Sequence, residues 1–208
     1  MSRKLGACQN FRVDNIQYLS RAISYLIVVT TIKGKDMTLR ANYFELASKA
    51  MQILMNQEAY LLEQFSTSKT VTIPVWELVK LRVSQINQCA FCIDMHGRDA
   101  LNQGETQQRI IGLSAWRDMP WYSDIEVAAL NWSEYLMSGK PVEEERYEGV
   151  VNLLGEQAVV DLTIAINAIN SWNRIAKTFK PEVGSYKPKY IIVLNESADK
   201  ADFGESLI

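Results

Sequence analysis

From Leu162 to Phe179 the apolar residues fall on one helical stripe: Leu162, Ala165, Ile166, Ile169, Trp172, Ala176 and Phe179 keep a 3.6-residue period. The segment predicts a long helix over about 156–179, stopped by Pro181. The same period recurs upstream. Ala47, Ala50, Met51, Leu54, Leu61, Leu62 and Phe65 mark a helical stretch within 41–65, and a polar break follows at 66–70. Pro74 suits the first turn of a helix running through Leu78, Leu81 and Ile86 to Asn87-Gln88, with Glu77 near its positive end. A further helix begins around Cys89 and stops at Gly104, and another covers 105–116. Ser123-Asp124-Ile125-Glu126 has the capping-box pattern and opens a helix ending at Gly139. Pro141 and Glu143-Glu144-Glu145 start one that reaches Leu154, with Gly155 as its stop.

Seven or so helices with short connections, and no convincing strand between them, predict an all-α helical bundle domain. The expected domain covers 37–184. Residues 1–36 differ in character, with the β-branched run Ile27 to Ile32 ahead of Lys33-Gly34-Lys35-Asp36 and Met37, and read as an extension. An ordered strand or helix packed on the domain is the alternative. The tail 185–208 carries an apolar run, Tyr190 to Leu194, that suits a strand, a partner-binding arm or disorder. The five tryptophans sit mostly at helical-period positions and read as core or subunit interface.

Composition excludes several function classes. The 208-residue chain has a net charge of −2, which leaves neither a basic field for nucleic acid nor a polybasic patch for membranes. The apolar stretch Ile23 to Ile32 is too short to span a bilayer and begins late for a signal peptide. A soluble, cytoplasmic protein is expected. Three cysteines, two of them in one motif, argue against a secreted disulfide framework.

That motif carries the chemistry. Cys89 and Cys92 form a Cys-x-x-Cys pair, and His96, the one histidine of the chain, lies four residues beyond. Glu77 precedes Cys89 by twelve residues. A thiol attacks only as its thiolate, so a working cysteine needs a helix N-terminus or an imidazole nearby. On a helix Cys89 and Cys92 share a turn, and His96 lies one turn past Cys92, so Cys92 is the thiol His96 reaches most easily. Glu77 reaches the same face only if the chain breaks near Asn87-Gln88, or it acts through water. Cys89, Cys92, His96 and Glu77 also match a four-ligand zinc site in residue type, though not in usual spacing. Buried thiols acting as small hydrophobes are the other alternative.

The spacing Glu-x11-Cys-x2-Cys-x3-His resembles the signature of the alkylhydroperoxidase D-like branch of the carboxymuconolactone decarboxylase family. The likeness extends over about 41–179, including Leu78 to Asn87, Cys89 to Gly97, Gly104-Glu105-Thr106, Leu113 to Arg117 and Ile169 to Arg174. It implies an AhpD-like all-α fold that forms homo-oligomers, commonly trimers or hexamers. It also implies a cysteine-based peroxidase or disulfide oxidoreductase of antioxidant defence. By that resemblance Cys92 attacks a small hydroperoxide, Cys89 resolves it, and Glu77 and His96 form the proton relay. The disulfide is reopened by an external dithiol or a redox adaptor protein, with no metal or other cofactor. One departure stands out: the better-studied peroxidases of the group carry a second histidine directly before the second cysteine, and here that residue is Phe91. The decarboxylase branch lacks the cysteine pair, which argues against a decarboxylase-type activity. A redox-sensing or binding protein without turnover is the remaining alternative.

Overall fold

The computed structural model describes residues 39–188. The 1–36 extension and the Tyr190 to Leu194 run lie outside them. In chain order the α-helices are α1 (Tyr43–Leu46), α2 (Ser48–Thr67), α3 (Ile73–Ile86), α4 (Ala90–Asn102), α5 (Gln107–Gly112), α6 (Asp124–Met137), α7 (Glu144–Leu154) and α8 (Glu156–Phe179). A 3₁₀ helix, Leu113–Asp118, follows α5. There is no strand among the described residues, so the all-α expectation holds.

α3 is the centre. Pro74 stands in its first turn, where a missing N–H costs nothing. Every residue from Val75 to Leu81 is buried, so the helix is covered all round. One side joins the main core, where Val79 and Val83 meet Leu61 and Phe65 of α2, Trp132 of α6, and Leu162 and Ile166 of α8. The other side places Leu78 and Leu81 against Leu113, Trp116 and Leu130. Each fully buried leucine removes enough apolar surface from water to contribute roughly 1.5–3 kcal/mol.

The expected helix ends hold where local chemistry dictates them. Ser123 caps α6 and Glu126 returns the bond, completing the capping box. Gly155, at φ 88°, separates α7 from α8, and Gly104, at φ 92°, follows α4. Two stretches differ. The 41–65 pattern breaks at Ala47 (φ −129°) into α1 and α2, because α1 is drawn onto the end of α8: Tyr43 lies 5.3 Å from the Phe179 ring and Phe44 stacks 6.4 Å from Trp172. The 105–116 segment is not one helix either. Its backbone tightens to 3₁₀ after Gly112, where an added Cβ would stand 3.1 Å from the Trp121 ring. The first break answers to neighbours distant in sequence and the second to a tryptophan just past the segment, and a local period registers neither.

The tryptophans divide. Trp76, Trp116 and Trp132 are buried core residues, whereas Trp121 and Trp172 are half-buried, the latter donating to Glu58 Oε1 at 2.9 Å. Among the described residues no single helix is long and apolar enough to cross a membrane.

Candidate active site

The junction between α3 and α4 builds the site. α3 ends in a Schellman turn: Gln88 N–H donates to Gln85 O and Cys89 N–H reaches back to Ser84 O, each at 3.0 Å. The turn needs a left-handed residue, and Gln88 supplies it at φ 53°. Asn87 is clamped to α8 through its Nδ2, which donates to Asn170 and Asn173 Oδ1 at 2.8 Å each. Lys177 Nζ donates to Asn87 O at 2.6 Å. The chain therefore reverses at the break foreseen near Asn87-Gln88, and α4 folds back along α3.

Cys89 is consequently the N-cap of α4, with extended backbone angles, and Cys92 stands in the first helical turn. The two are bonded as a disulfide, with Cα atoms 5.3 Å apart, well within the range such a bridge spans without backbone movement. The helix N-terminus offers its partial positive charge and free N–H groups to this turn, which favours thiolate over thiol once the bridge is open. Both sulfurs pack with Phe91 and with Ala176 of α8.

His96 lies one turn past Cys92. Its Nδ1 donates to Glu77 Oε2 at 3.0 Å, since an ionised carboxylate can only accept. The contact is direct, so the water-mediated alternative is not needed. That bond leaves Nε2 as the lone-pair nitrogen of the neutral ring, and Nε2 is buried without a partner among the described residues. It is the atom available to take a thiol proton. The site is closed: Cys89 and Cys92 are 1% exposed, His96 3% and Glu77 5%.

Sequence reasoning passed over the groups behind this pair. Lys80, buried one turn past Glu77, donates to Glu77 Oε1 at 2.5 Å and lies 3.7 Å from the Trp76 ring centre. Burial alone would push the Glu77 carboxyl up. The Lys80 ammonium and the His96 hydrogen bond outweigh it and bring the pKa to about 2. Glu77 thus stays anionic and serves as an orienter of the ring more than as a proton carrier. Glu58 on α2 feels burial first, then Lys80 in the opposite sense, and its carboxyl is raised. The signal for Lys80 was present, a charged pair at i,i+3 on an apolar-patterned helix.

Asp99 is the other omission. Its carboxylate, with Glu77 and His96, forms a group whose ligand atoms lie within 4.8 Å of one another. These three are the residues that could hold a cation, and they are not the Cys89, Cys92, His96 and Glu77 set weighed from the sequence. The sulfurs are bonded to each other, and Lys80 already neutralises Glu77, so neither zinc arrangement is favoured by the charges present.

With this geometry in view, the comparisons with known proteins are consistent with one another. A carboxymuconolactone decarboxylase family model matches residues 74–135, the span that holds α3, the cysteine pair and α6. YdfG of Bacillus subtilis, itself uncharacterised, is 47% identical over 142 residues, covering 67% of this chain and 93% of that protein. The chain belongs to the carboxymuconolactone decarboxylase family. Its AhpD-like branch is marked by an Agrobacterium tumefaciens structure of unknown function, provisionally named as an AhpD antioxidant-defence protein. That structure is 34% identical with a TM-score of 0.62, covering 69% of this chain and 97% of that one. The uncharacterised YnjA of Escherichia coli is 27% identical over 97 residues, 46% of this chain and 53% of that protein. The debrominase Bmp8, solved with 2,3,4-tribromopyrrole, is 13% identical with a TM-score of 0.55 over 67% of this chain and 75% of that one, a likeness of fold alone.

Proposed function

We propose that this protein is a thiol peroxidase or dithiol-disulfide oxidoreductase that reduces small organic hydroperoxides. The observation that carries the reading is the Cys89–Cys92 bridge at the start of α4, one turn from a histidine whose ring is fixed by Glu77. In the reduced protein His96 Nε2 takes the Cys92 proton, giving a thiolate and an imidazolium. The thiolate attacks the O–O bond. An S–O bond forms, the O–O bond breaks, and the leaving alkoxide takes the proton from His96. Cys89 then attacks the Cys92 sulfenic acid, forming the disulfide and releasing water. An external dithiol, free or on a redox adaptor protein, returns both cysteines to thiols and is itself oxidised.

Phe91, in the place of a second histidine, packs against the bridge and adds no base. His96 is therefore the proton acceptor on which the scheme depends. In this reading the protein works in antioxidant defence as a homo-oligomer, a trimer or hexamer, in the cytoplasm. A second reading, a redox switch without turnover, is favoured by the near-complete burial of both sulfurs.

The test is hydroperoxide consumption with a dithiol reductant, in wild type and Cys92→Ser. Turnover that vanishes in Cys92→Ser supports the enzyme. Full turnover in Cys92→Ser sinks it. A single stoichiometric oxidation in wild type, with no turnover under any dithiol, selects the switch.

A further inference from the structure

Asp99 and Tyr186 take no part in the scheme above, yet both lie against it. After α8 the chain turns at Lys180, Pro181 and Gly184 and returns to α4. Gly184, at φ 90°, adopts an angle open to glycine, and its N–H donates to Asp94 Oδ2 at 3.2 Å. Arg98, bonded to Asp94 at 2.9 Å, donates from a second nitrogen to Tyr186 O at 3.3 Å. The Tyr186 phenol donates to Asp99 Oδ1 at 2.7 Å. Two residues of the C-terminal segment, Gly184 and Tyr186, are thus fastened by three hydrogen bonds to the helix that carries the cysteines. The last of these bonds falls on a carboxylate within 4.8 Å of both His96 and Glu77.

We infer that this segment tunes the acidity of Cys92: the Tyr186 hydrogen bond favours the anionic form of Asp99, Asp99 favours the imidazolium form of His96, and the imidazolium favours the Cys92 thiolate. The inference rests on reading Cys92 as the reacting thiol. Glu77 is neutralised on its other oxygen by Lys80, so its charge is already shared. Among the described residues the Asp99 carboxylate bonds to Tyr186 and to no lysine or arginine, and its Oδ2 is buried without a partner. Burial first and then Glu77 raise the Asp99 carboxyl above its ordinary value, and His96, the Tyr186 hydrogen bond and Lys80 offset this only in part, so the Tyr186 bond draws the group back toward the anion. The groups around His96 are Glu77 and Lys80 from α3, Asp99 and Cys92 from α4, and Glu58 farther off on α2. The hydrogen bond that steadies the Asp99 carboxylate comes from Tyr186, outside the bundle. Tyr186 is a positioning residue in this account, since it touches neither sulfur nor substrate.

The experiment is the pH dependence of iodoacetamide alkylation at the Cys92 peptide of the reduced full chain, read by mass spectrometry. Each alkylation forms one S–C bond, breaks one C–I bond, and releases iodide and the thiol proton. Tyr186→Phe and Asp99→Asn should each move the midpoint of the rate profile upward. Asp99→Asn should do so by about half a pH unit or more, roughly threefold slower alkylation below the midpoint, as expected for losing a charge near the imidazole. Asp99→Glu should restore the profile, which a packing defect would not. Profiles that superimpose on wild type, or a downward shift, overturn the inference. A response to Asp99→Asn alone overturns the role of the C-terminal segment, and if Asp99→Asn does not fold, Tyr186→Phe decides. Peroxide turnover is not the readout, so the two readings separate. Superimposed profiles on an acidic wild-type thiol remove only this inference, whereas an ordinary, weakly reactive wild-type thiol removes the proposed function as well.

Discussion

Replacing Lys80 by methionine removes the ammonium while keeping most of the side chain over Trp76. The pair it breaks is dry, with Lys80 and Glu77 side chains 3% and 7% exposed and 2.5 Å apart. Taking away one partner of a buried ion pair costs about 3–5 kcal/mol, because the other charge stays behind. A second route gives a similar figure. Glu77 sits at about 2 against an ordinary 4.5, a depression that corresponds to roughly 3 kcal/mol of preference for the anion. Part of that belongs to His96. Lys80→Met should therefore lose about 3 kcal/mol at pH 7 in urea unfolding, with the m-value unchanged. The sign with pH follows from the depressed carboxyl. Its contribution is present above the unfolded value near 4.5 and is lost as pH falls through about 2, so the gap between wild type and variant narrows on acidification. The double variant Lys80→Met/Glu77→Gln should recover most of the loss, since no unpaired charge remains. A single variant within about 1 kcal/mol of wild type would refute the claim that the ammonium holds Glu77. A double variant no better than the single would assign the loss to packing on the indole.

Other outcomes follow from the same structure. Gln88→Gly should raise stability by about 0.5–1 kcal/mol in thermal unfolding, because Gln88 holds a left-handed angle that glycine adopts freely; Gln88→Val should lower it. Ser123→Ala removes the N-cap of α6 and should cost about 1 kcal/mol by urea midpoint, with Cys92 reactivity unaffected. Leu162→Ala, at a fully buried position of the main core, should cost about 2–5 kcal/mol.

Much of the fold was legible along the chain because its helix boundaries are written in local chemistry. The Ser123 box, Pro74 in a first turn, and the glycines at 104 and 155 each satisfy or release backbone groups within a few residues, so their meaning does not depend on the rest of the molecule. Glu77, Cys89, Cys92 and His96 were legible for a related reason: residue type and spacing along neighbouring helices restrict what they can reach. Even the break at Gln88 was visible as the one place where Glu77 could be returned to His96.

The rest was settled in three dimensions. The break at Ala47 answers to Phe179 and Trp172, more than a hundred positions away. Whether Glu77 would be a proton carrier or a fixed anion depended on Lys80 being buried against it, because an exposed lysine at the same spacing would be screened by water. Tyr186 left no local trace at all. A phenol in an irregular tail acquires its role only when the chain turns back and sets it on Asp99. Periodicity and capping are short-range and survive in the sequence, whereas electrostatic environment is a property of burial, and burial exists only once distant segments have met.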